Sequence, residues 1–376
     1  MESPFVFGQI VSGEGFINRT EELQRLMYNV RSGVSTILIS PRRWGKSSLV
    51  REMARRMQSE TDLVFCFLDL FAIQSEEAFY EAYAKALLKA FEHSWEGRLR
   101  LVKELLSGLV PLVSFKADPN ADFSIKFKVE KPKDADEILD LGQKLALQRK
   151  KRLVVCLDEF QNIEQFDDPL AFQKRLRSHW QKHTEVSFVL YGSKRHSMQQ
   201  LFAKSSHPFF KFGELILLER ISDDHWVPFI QRSFELSGRS APADEVRDLV
   251  VRMERHTQYV QHFAHLALFH TPEGAPLTVS ILDRAQEQLI QHQSAYFQSV
   301  FQQLSKTQIA VLRMLLDGLQ SEFTSAANLK TYSLNSSATV IKALAALENK
   351  DVIDRLGAGV SFTDPVFALW LRGVLG

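Results

Sequence analysis

Cysteine is almost missing from this 376-residue sequence: only Cys66 and Cys156 occur, each inside an apolar run. Two isolated thiols exclude a disulfide framework and a thiolate metal site, and both read as small buried hydrophobes. No apolar run approaches the ~20 residues of a membrane span. The opening Met-Glu-Ser-Pro also lacks a basic leader, so a cytoplasmic protein without a membrane partner is expected. An excess of one charge sign is missing as well. Lys plus Arg number 46 against 45 for Asp plus Glu, and this balance points to no polyanionic partner. A hydrophobic content of 45% excludes a chain too polar to fold, and the length leaves room for about two to three domains.

What is present begins with Thr36-Ile37-Leu38-Ile39, an apolar strand, followed by Ser40-Pro41-Arg42-Arg43-Trp44-Gly45-Lys46-Ser47-Ser48. The order strand, loop, helix is that of a phosphate-binding P-loop. In that loop backbone N–H groups wrap the phosphates, the Lys reaches the terminal ones and the Ser/Thr hydroxyl joins a magnesium shell. Lys46 and Ser47 fit those two roles. The pattern has Gly at its first position, where this sequence has Ser40. Leu49, Val50, Met53 and Met57 recur at helical spacing directly afterwards, so the loop opens a helix whose N-terminus favours an anion.

A second run, Leu153 to Leu157, ends in Asp158-Glu159 and reads as a buried parallel strand that delivers two acids at its C-terminal edge. Asp158 is expected to hold Mg²⁺ and Glu159 to polarise an attacking water. In P-loop ATPases with such a Glu, a polar residue at the tip of the next strand commonly senses the terminal phosphate. Ser193 in Tyr191-Gly192-Ser193 is the candidate. Catalytic roles therefore fall to Glu159, Lys46 and Ser193, and metal binding to Ser47 and Asp158. Asp69, after Leu63 to Leu68, is a further polar strand tip.

Strand-like runs at 36–39, 63–68, 153–157, 186–190 and 214–218 alternate with helical patterns such as Glu76 to Phe91, which defines an α/β fold with a parallel sheet. The interval of about 97–133 reads as an inserted helix and hairpin, with Val110 to Lys116 pairing with the alternating Phe123, Ile125, Phe127, Val129 run across Asp118-Pro119-Asn120. From about Ile221 amphipathic helices take over, broken at Gly238, Pro242 and Thr271-Pro272. A helix at Ile309 to Leu316, another at Ser337 to Leu347 and two short strands at Val352-Ile353 and Gly357 to Phe362 follow, in the order of a winged helix-turn-helix. The expected domains are a P-loop ATPase domain at 1–220, a helical lid at 221–300 and a winged helix at 301–376.

These segments together resemble the archaeal-type ATP-binding protein family, a branch of the AAA-like and STAND nucleotide switches. The resemblance runs nearly end to end. It is carried by Phe16-Ile17-Asn18-Arg19-Thr20-Glu21-Glu22-Leu23, the Ser40 to Ser47 loop, Asp158-Glu159-Phe160-Gln161, Gly192-Ser193-Lys194, His256 to Gln261 and Asp364 to Leu371. It implies ATP as the nucleotide, Phe16, Ile17 and Arg19 as nucleotide contacts, and a lid that closes over the site. The sequence departs from the family at Asn18, where Gly is common, and at Thr257, where Pro is common.

Other constellations carry less. His262, His265 and His270 lack the further ligands a zinc site needs. The tract Arg149 to Arg152 precedes a buried strand and reads as a solvated loop. Helix Ser337 to Leu347 with its flank offers Asn335, Ser336, Thr339 and Lys342, few cations for a duplex. DNA and a protein are both open as partners of the winged helix, and assembly into a homo-oligomer is open too, with Arg195 and Arg220 as candidates for an arginine acting in trans. The reading is a Mg²⁺-dependent, slowly hydrolysing ATPase used as a switch. Its alternative is a module that nucleotide merely locks for DNA or protein recruitment, and Glu159 favours hydrolysis.

Overall fold

The computed structural model describes residues 3–105, 111–114, 124–127, 132–356 and 359–375. The chain forms two compact units, Ile10–Glu219 and Met1–Gln9 with Arg220–Gly376.

The first unit is built on a parallel sheet of β1 (Thr36–Ile39), β2 (Leu63–Asp69), β5 (Arg152–Asp158), β6 (Val186–Gly192) and β7 (Glu214–Leu217), in the order β2-β5-β6-β1-β7. Alternation along each strand divides its side chains between two faces. Ile37 and Ile39 join Val155, Leu157, Phe188 and Leu190 in one core, under Phe79, Tyr83, Phe172 and Trp180. Leu38 joins Val154, Cys156, Val189 and Tyr191 in the other, under Leu23, Leu26, Leu49 and Met53. This is a three-layer α/β sandwich, as the strand and helix alternation predicts. Cys66 and Cys156 are both buried but belong to opposite faces. Burial pushes the Cys66 thiol up to about 12.

Between β2 and β5 lies a two-stranded antiparallel hairpin of β3 (Pro111–Ser114) and β4 (Ser124–Phe127), with Leu112 opposite Lys126. The expected hairpin is thus present. Its turn at Asp118-Pro119-Asn120, and Phe123 and Val129, lie outside the described residues.

The second unit is helical. Asp223–Leu236, Ala243–Arg252, Thr257–His270 and Val279–Gln302 precede Lys306–Leu316, Ala326–Thr331 and Ser337–Asn349. The antiparallel strands β8 (Ile353–Leu356) and β9 (Gly359–Phe362) and the helix Pro365–Leu375 complete the winged-helix order. Gly238, at φ +69, ends the first of these helices in the left-handed turn that glycine favours. Sequence periodicity did not reveal the 24-residue helix Val279–Gln302, because only Leu282, Ala285, Leu289 and Phe297 on it are buried and Gln fills much of the rest.

That long helix packs on the last one. Phe297 meets Phe367 with ring centroids 5.3 Å apart, and the Trp370 indole donates to Ser294 Oγ at 3.1 Å. Asp364 accepts the backbone N–H groups of Val366 and Phe367 at 2.9 and 3.0 Å, and also the Tyr259 hydroxyl. One carboxylate therefore caps the last helix and ties it to Thr257–His270. Asp364→Ala should cost about 1–3 kcal/mol of unfolding free energy, in line with loss of a cap and a charge-assisted hydrogen bond. Chemical denaturation monitored at Trp fluorescence measures it, and an unchanged midpoint would contradict this account.

Candidate nucleotide site

Register brings the strand tips together. Ile39 lies opposite Gly192, Leu190 opposite Leu157, and Asp69 opposite Asp158. The loop after β1 and the acids after β5 are thus separated by one strand, β6, roughly 10 Å at the usual strand spacing. The helix Lys46–Arg56 starts directly after Gly45. Its first turn carries Lys46 and Ser47 across the β6 tip toward β5.

The result is one hydrogen-bonded cluster. Lys46 Nζ donates to Glu159 Oε1 at 2.9 Å and lies 3.9 Å from Asp158 Oδ1. Ser47 Oγ donates to Asp158 Oδ2 at 2.6 Å. Glu159 Oε2 accepts from Ser193 Oγ at 2.8 Å, from the Ser193 backbone N–H at 3.3 Å and from Gln161 Nε2 at 2.5 Å. Burial raises Asp158 above the usual carboxylate range, against the pull of Lys46 and the Ser47 hydrogen bond. Burial alone would raise Glu159 as well. There the Lys46 charge and the hydrogen bonds from Gln161, Lys46 and Ser193 prevail and hold its carboxyl below that range. Glu159 is ionised at neutral pH.

Backbone geometry explains the loop letters. Gly45 has φ +92, with nothing within 4 Å of a Cβ built on it, so its backbone faces open space. Ser40 is not among the positive-φ residues, so the first loop position does not require glycine here. It is fully buried, and its hydroxyl donates to the Pro41 carbonyl at 3.1 Å. The Trp44 side chain is buried in the core beside Leu49 and Met53, which leaves only its backbone to the loop. Arg42 and Arg43 are exposed, and Pro41 is half-buried.

The segment before β1 is fastened to this loop. Arg19 is buried, and its guanidinium donates to the Trp44 carbonyl at 3.2 Å, to Glu22 at 3.0 Å and to the Glu219 carbonyl. Asn18, at φ +35, holds the left-handed backbone that glycine favours, and its Oδ1 accepts from Thr20 Oγ1 at 2.8 Å. Asn is among the few residues that tolerate that region. Ile17 is buried and Phe16 half-buried against the Leu23 and Trp44 core. Ser48 Oγ accepts the Val11 N–H at 3.0 Å, and Glu52 accepts the Gly13 N–H at 3.0 Å.

Not every candidate joins the cluster. Asp69 Oδ1 accepts its own turn's Phe71 N–H at 2.9 Å. Arg220 pairs with Glu254 at 3.4 Å in the second unit. His262 stacks on Phe7 at 4.1 Å and His265 contacts Ser3 Oγ at 2.8 Å. Among the described residues no group of three His, Cys, Asp or Glu is placed to hold a metal. Arg152, the end of the basic tract, is the first residue of β5 and pairs with Asp62 at 2.7 Å. In the sequence Gln161 stands only as a letter of the Asp158-Glu159-Phe160-Gln161 motif. Its place two residues after Glu159 is the signal that points to it.

The residues fit nucleotide and magnesium. The first N–H groups of a helix have no intrahelical acceptors, the loop adds a Lys, and a hydroxyl beside a carboxylate supplies hard oxygen donors. The family profile of an ATPase domain predominantly from Archaea matches residues 16–245. That is more than half of the chain, and the protein belongs to this ATPase family. A profile described as a probable winged helix domain matches residues 295–373. A Walker-type ATPase of Pyrococcus abyssi is similar over 98% of this chain and 99% of its own, with 17% identity and a TM-score of 0.67. The ORC1 protein of Aeropyrum pernix, in complex with DNA, is similar over 99% and 98% at 12% identity and a TM-score of 0.51. The ADP form of the ORC2 protein of that organism follows at 96% and 95%, 14% identity and 0.51. These likenesses concern the fold. No curated protein matches the chain. Among the described residues no helix is long and apolar enough to cross a membrane.

Glu52 yields a pH prediction. The Arg55 hydrogen bond, helped by Gly13 and Arg56 against the cost of burial, holds its carboxyl down to about 2 from an ordinary 4.5. A folded value below the unfolded one stabilises the protein fully above about pH 4.5, and that stabilisation is lost as pH falls toward 2. Glu52→Gln should lower Tm at pH 7 by several degrees and by much less near pH 2.5, as read by scanning calorimetry. An equal drop at both pH values would refute it.

Proposed function

We propose that this protein binds Mg-ATP at the joined tips of β1, β6 and β5, hydrolyses it slowly, and works in the cytoplasm as a nucleotide-dependent switch. The observation that carries this reading is the single cluster in which Lys46, Ser47, Asp158, Glu159 and Ser193 meet within hydrogen-bond distance. The loop from Ser40 to Ser48 presents backbone N–H groups to the phosphates. Lys46 exchanges Glu159 for the terminal phosphates, so the buried ammonium is paired in both states; an unpaired one would cost several kcal/mol. Ser47 and Asp158 hold the magnesium. When bound, that ion neutralises charge on the phosphate oxygens. Glu159 accepts the proton of the attacking water, and Ser193 sits beside it facing the terminal phosphate. Phe16 and Ile17 contribute the base side, with Arg19 acting through the Trp44 backbone.

For the winged helix we favour a partner engaged with nucleotide's help. The outward residues of Ser337–Asn349 include Ser337, Thr339, Ile341 and a single cation, Lys342. The A. pernix ORC1 protein is seen with DNA. With so few cations, this chain should bind a DNA duplex weakly in the absence of ATP, and tight ATP-independent binding in a gel-shift assay would contradict that.

Turnover tests the site. Glu159→Gln keeps shape and removes the proton acceptor, so phosphate release at saturating Mg-ATP should fall about 10²-fold or more while binding persists. Lys46→Ala should abolish the thermal protection by Mg-ATP, which at 100 times Kd is worth about 2.7 kcal/mol. Equal turnover in wild type and Glu159→Gln would leave the nucleotide as a static ligand.

A further inference from the structure

The two oxygens of the Glu159 carboxylate have different partners. Oε2 takes three donors, Gln161 Nε2 at 2.5 Å, Ser193 Oγ at 2.8 Å and the Ser193 N–H at 3.3 Å. Oε1 takes Lys46 at 2.9 Å. Gln161 is itself 3% exposed, so its amide has little freedom to turn away. The other end of that amide is held by shape. A Cβ built on Gly192 would lie 1.9 Å from Gln161 Oε1 and 2.9 Å from Met198 Sδ. No real Cβ tolerates such contacts, so the amide occupies the space that the missing side chain of Gly192 leaves. Gly192 is the last residue of β6, paired with Ile39, and its backbone cannot retreat without breaking the sheet beside the loop.

We propose that Gln161 is a positioning residue, which clamps Oε2 of Glu159 through a slot kept open by Gly192 and thereby reserves Oε1 as the oxygen that works on water. This deepens the hydrolytic reading and rests on it. Once Lys46 turns to a phosphate, Oε1 loses its ammonium while Oε2 keeps the Gln161 amide and the Ser193 backbone N–H, even when the single Ser193 hydroxyl hydrogen turns to the phosphate. The carboxylate then stays in place, and the oxygen left with its lone pairs uncommitted faces the site that Lys46 has vacated. A carboxylate anchored at one oxygen keeps its orientation without help from the substrate, which is the form of preorganisation that general-base catalysis requires.

The test uses the full chain. Gln161→Leu removes the donor at similar size, and Gly192→Ala expels the amide from its slot. Each should lower kcat about tenfold or more while KM for Mg-ATP, and the thermal shift it produces, stay within about threefold. In the Glu159→Gln background neither change should lower turnover further, because both act through the Glu159 carboxylate. In the nucleotide-free protein the Gln161 side-chain amide should give a resolved, downfield-shifted ¹⁵N–¹H pair that moves in Glu159→Ala and in Gly192→Ala. Full kcat in Gln161→Leu, an equal further loss in the Glu159→Gln background, or an amide pair indifferent to Glu159→Ala would overturn the positioning role. Absence of turnover in wild type would overturn it together with the hydrolytic reading, since an inert Glu159 needs no anchoring. Turnover lost in Glu159→Gln yet intact in Gln161→Leu would overturn the positioning role alone.

Discussion

A buried ammonium between two carboxylates is the constraint on which the first unit turns. Lys46 is 8% exposed, and at such depth an ammonium persists only with a partner. Glu159 supplies it from the far side of β6. The bond therefore requires β5 and β1 to end at the same height, which the continuous parallel registers through β6 impose. It also requires the helix after the loop to start at once, without a linker, so that Lys46 and Ser47 point at β5 while Leu49 and Met53 bury behind them. Sheet order, loop length and helix phase are thus three conditions on one ion pair.

Part of the backbone strain of the chain lies at the same place. Arg43, Gly45 and Glu159 all have positive φ, and so do Asn18 and Arg19 in the segment bonded to the loop. Left-handed backbone in Arg and Glu costs of order 1 kcal/mol or more each, and such conformations persist only where the surroundings over-determine them. Here the surroundings can be named. Glu159 is held by four donors, and the Arg19 side chain is fixed by two carbonyls and Glu22. The strain keeps the carboxylate and the loop aimed at a common point, at a cost that the buried sheet beneath can bear.

Most of this was legible in the sequence because local chemistry and fold agree. The loop, the Asp158-Glu159 pair and the Ser193 tip each follow an apolar strand, and periodicity alone locates those strands to within a residue or two. Three features were not legible, for physical reasons. The slot for Gln161 depends on a distance between β5 and β6 that no local pattern encodes. Ser40 in place of Gly looked like a lost letter, yet the conformation at that position is open to any residue. The helix Val279–Gln302 was hidden because a Gln-rich face beside four buried residues leaves little periodic contrast.

Within the second unit, two of the segments that carry the sequence resemblance meet. Tyr259, in the His256 to Gln261 stretch, reaches both Asp364 and Gln293, so the helix Thr257–His270 is bonded to the start of the last helix and to the long helix at once. Phe297, Phe367 and Trp370 pack around the same junction. A hydrophobic junction capped by a half-buried polar bridge resists relative sliding, because any shift must break both the packing and the bridge. The helices Thr257–His270, Val279–Gln302 and Pro365–Leu375 are therefore packed and hydrogen-bonded to one another. Independent movement of the last helix would first have to break the Tyr259–Asp364 bond and the Phe297–Phe367 packing.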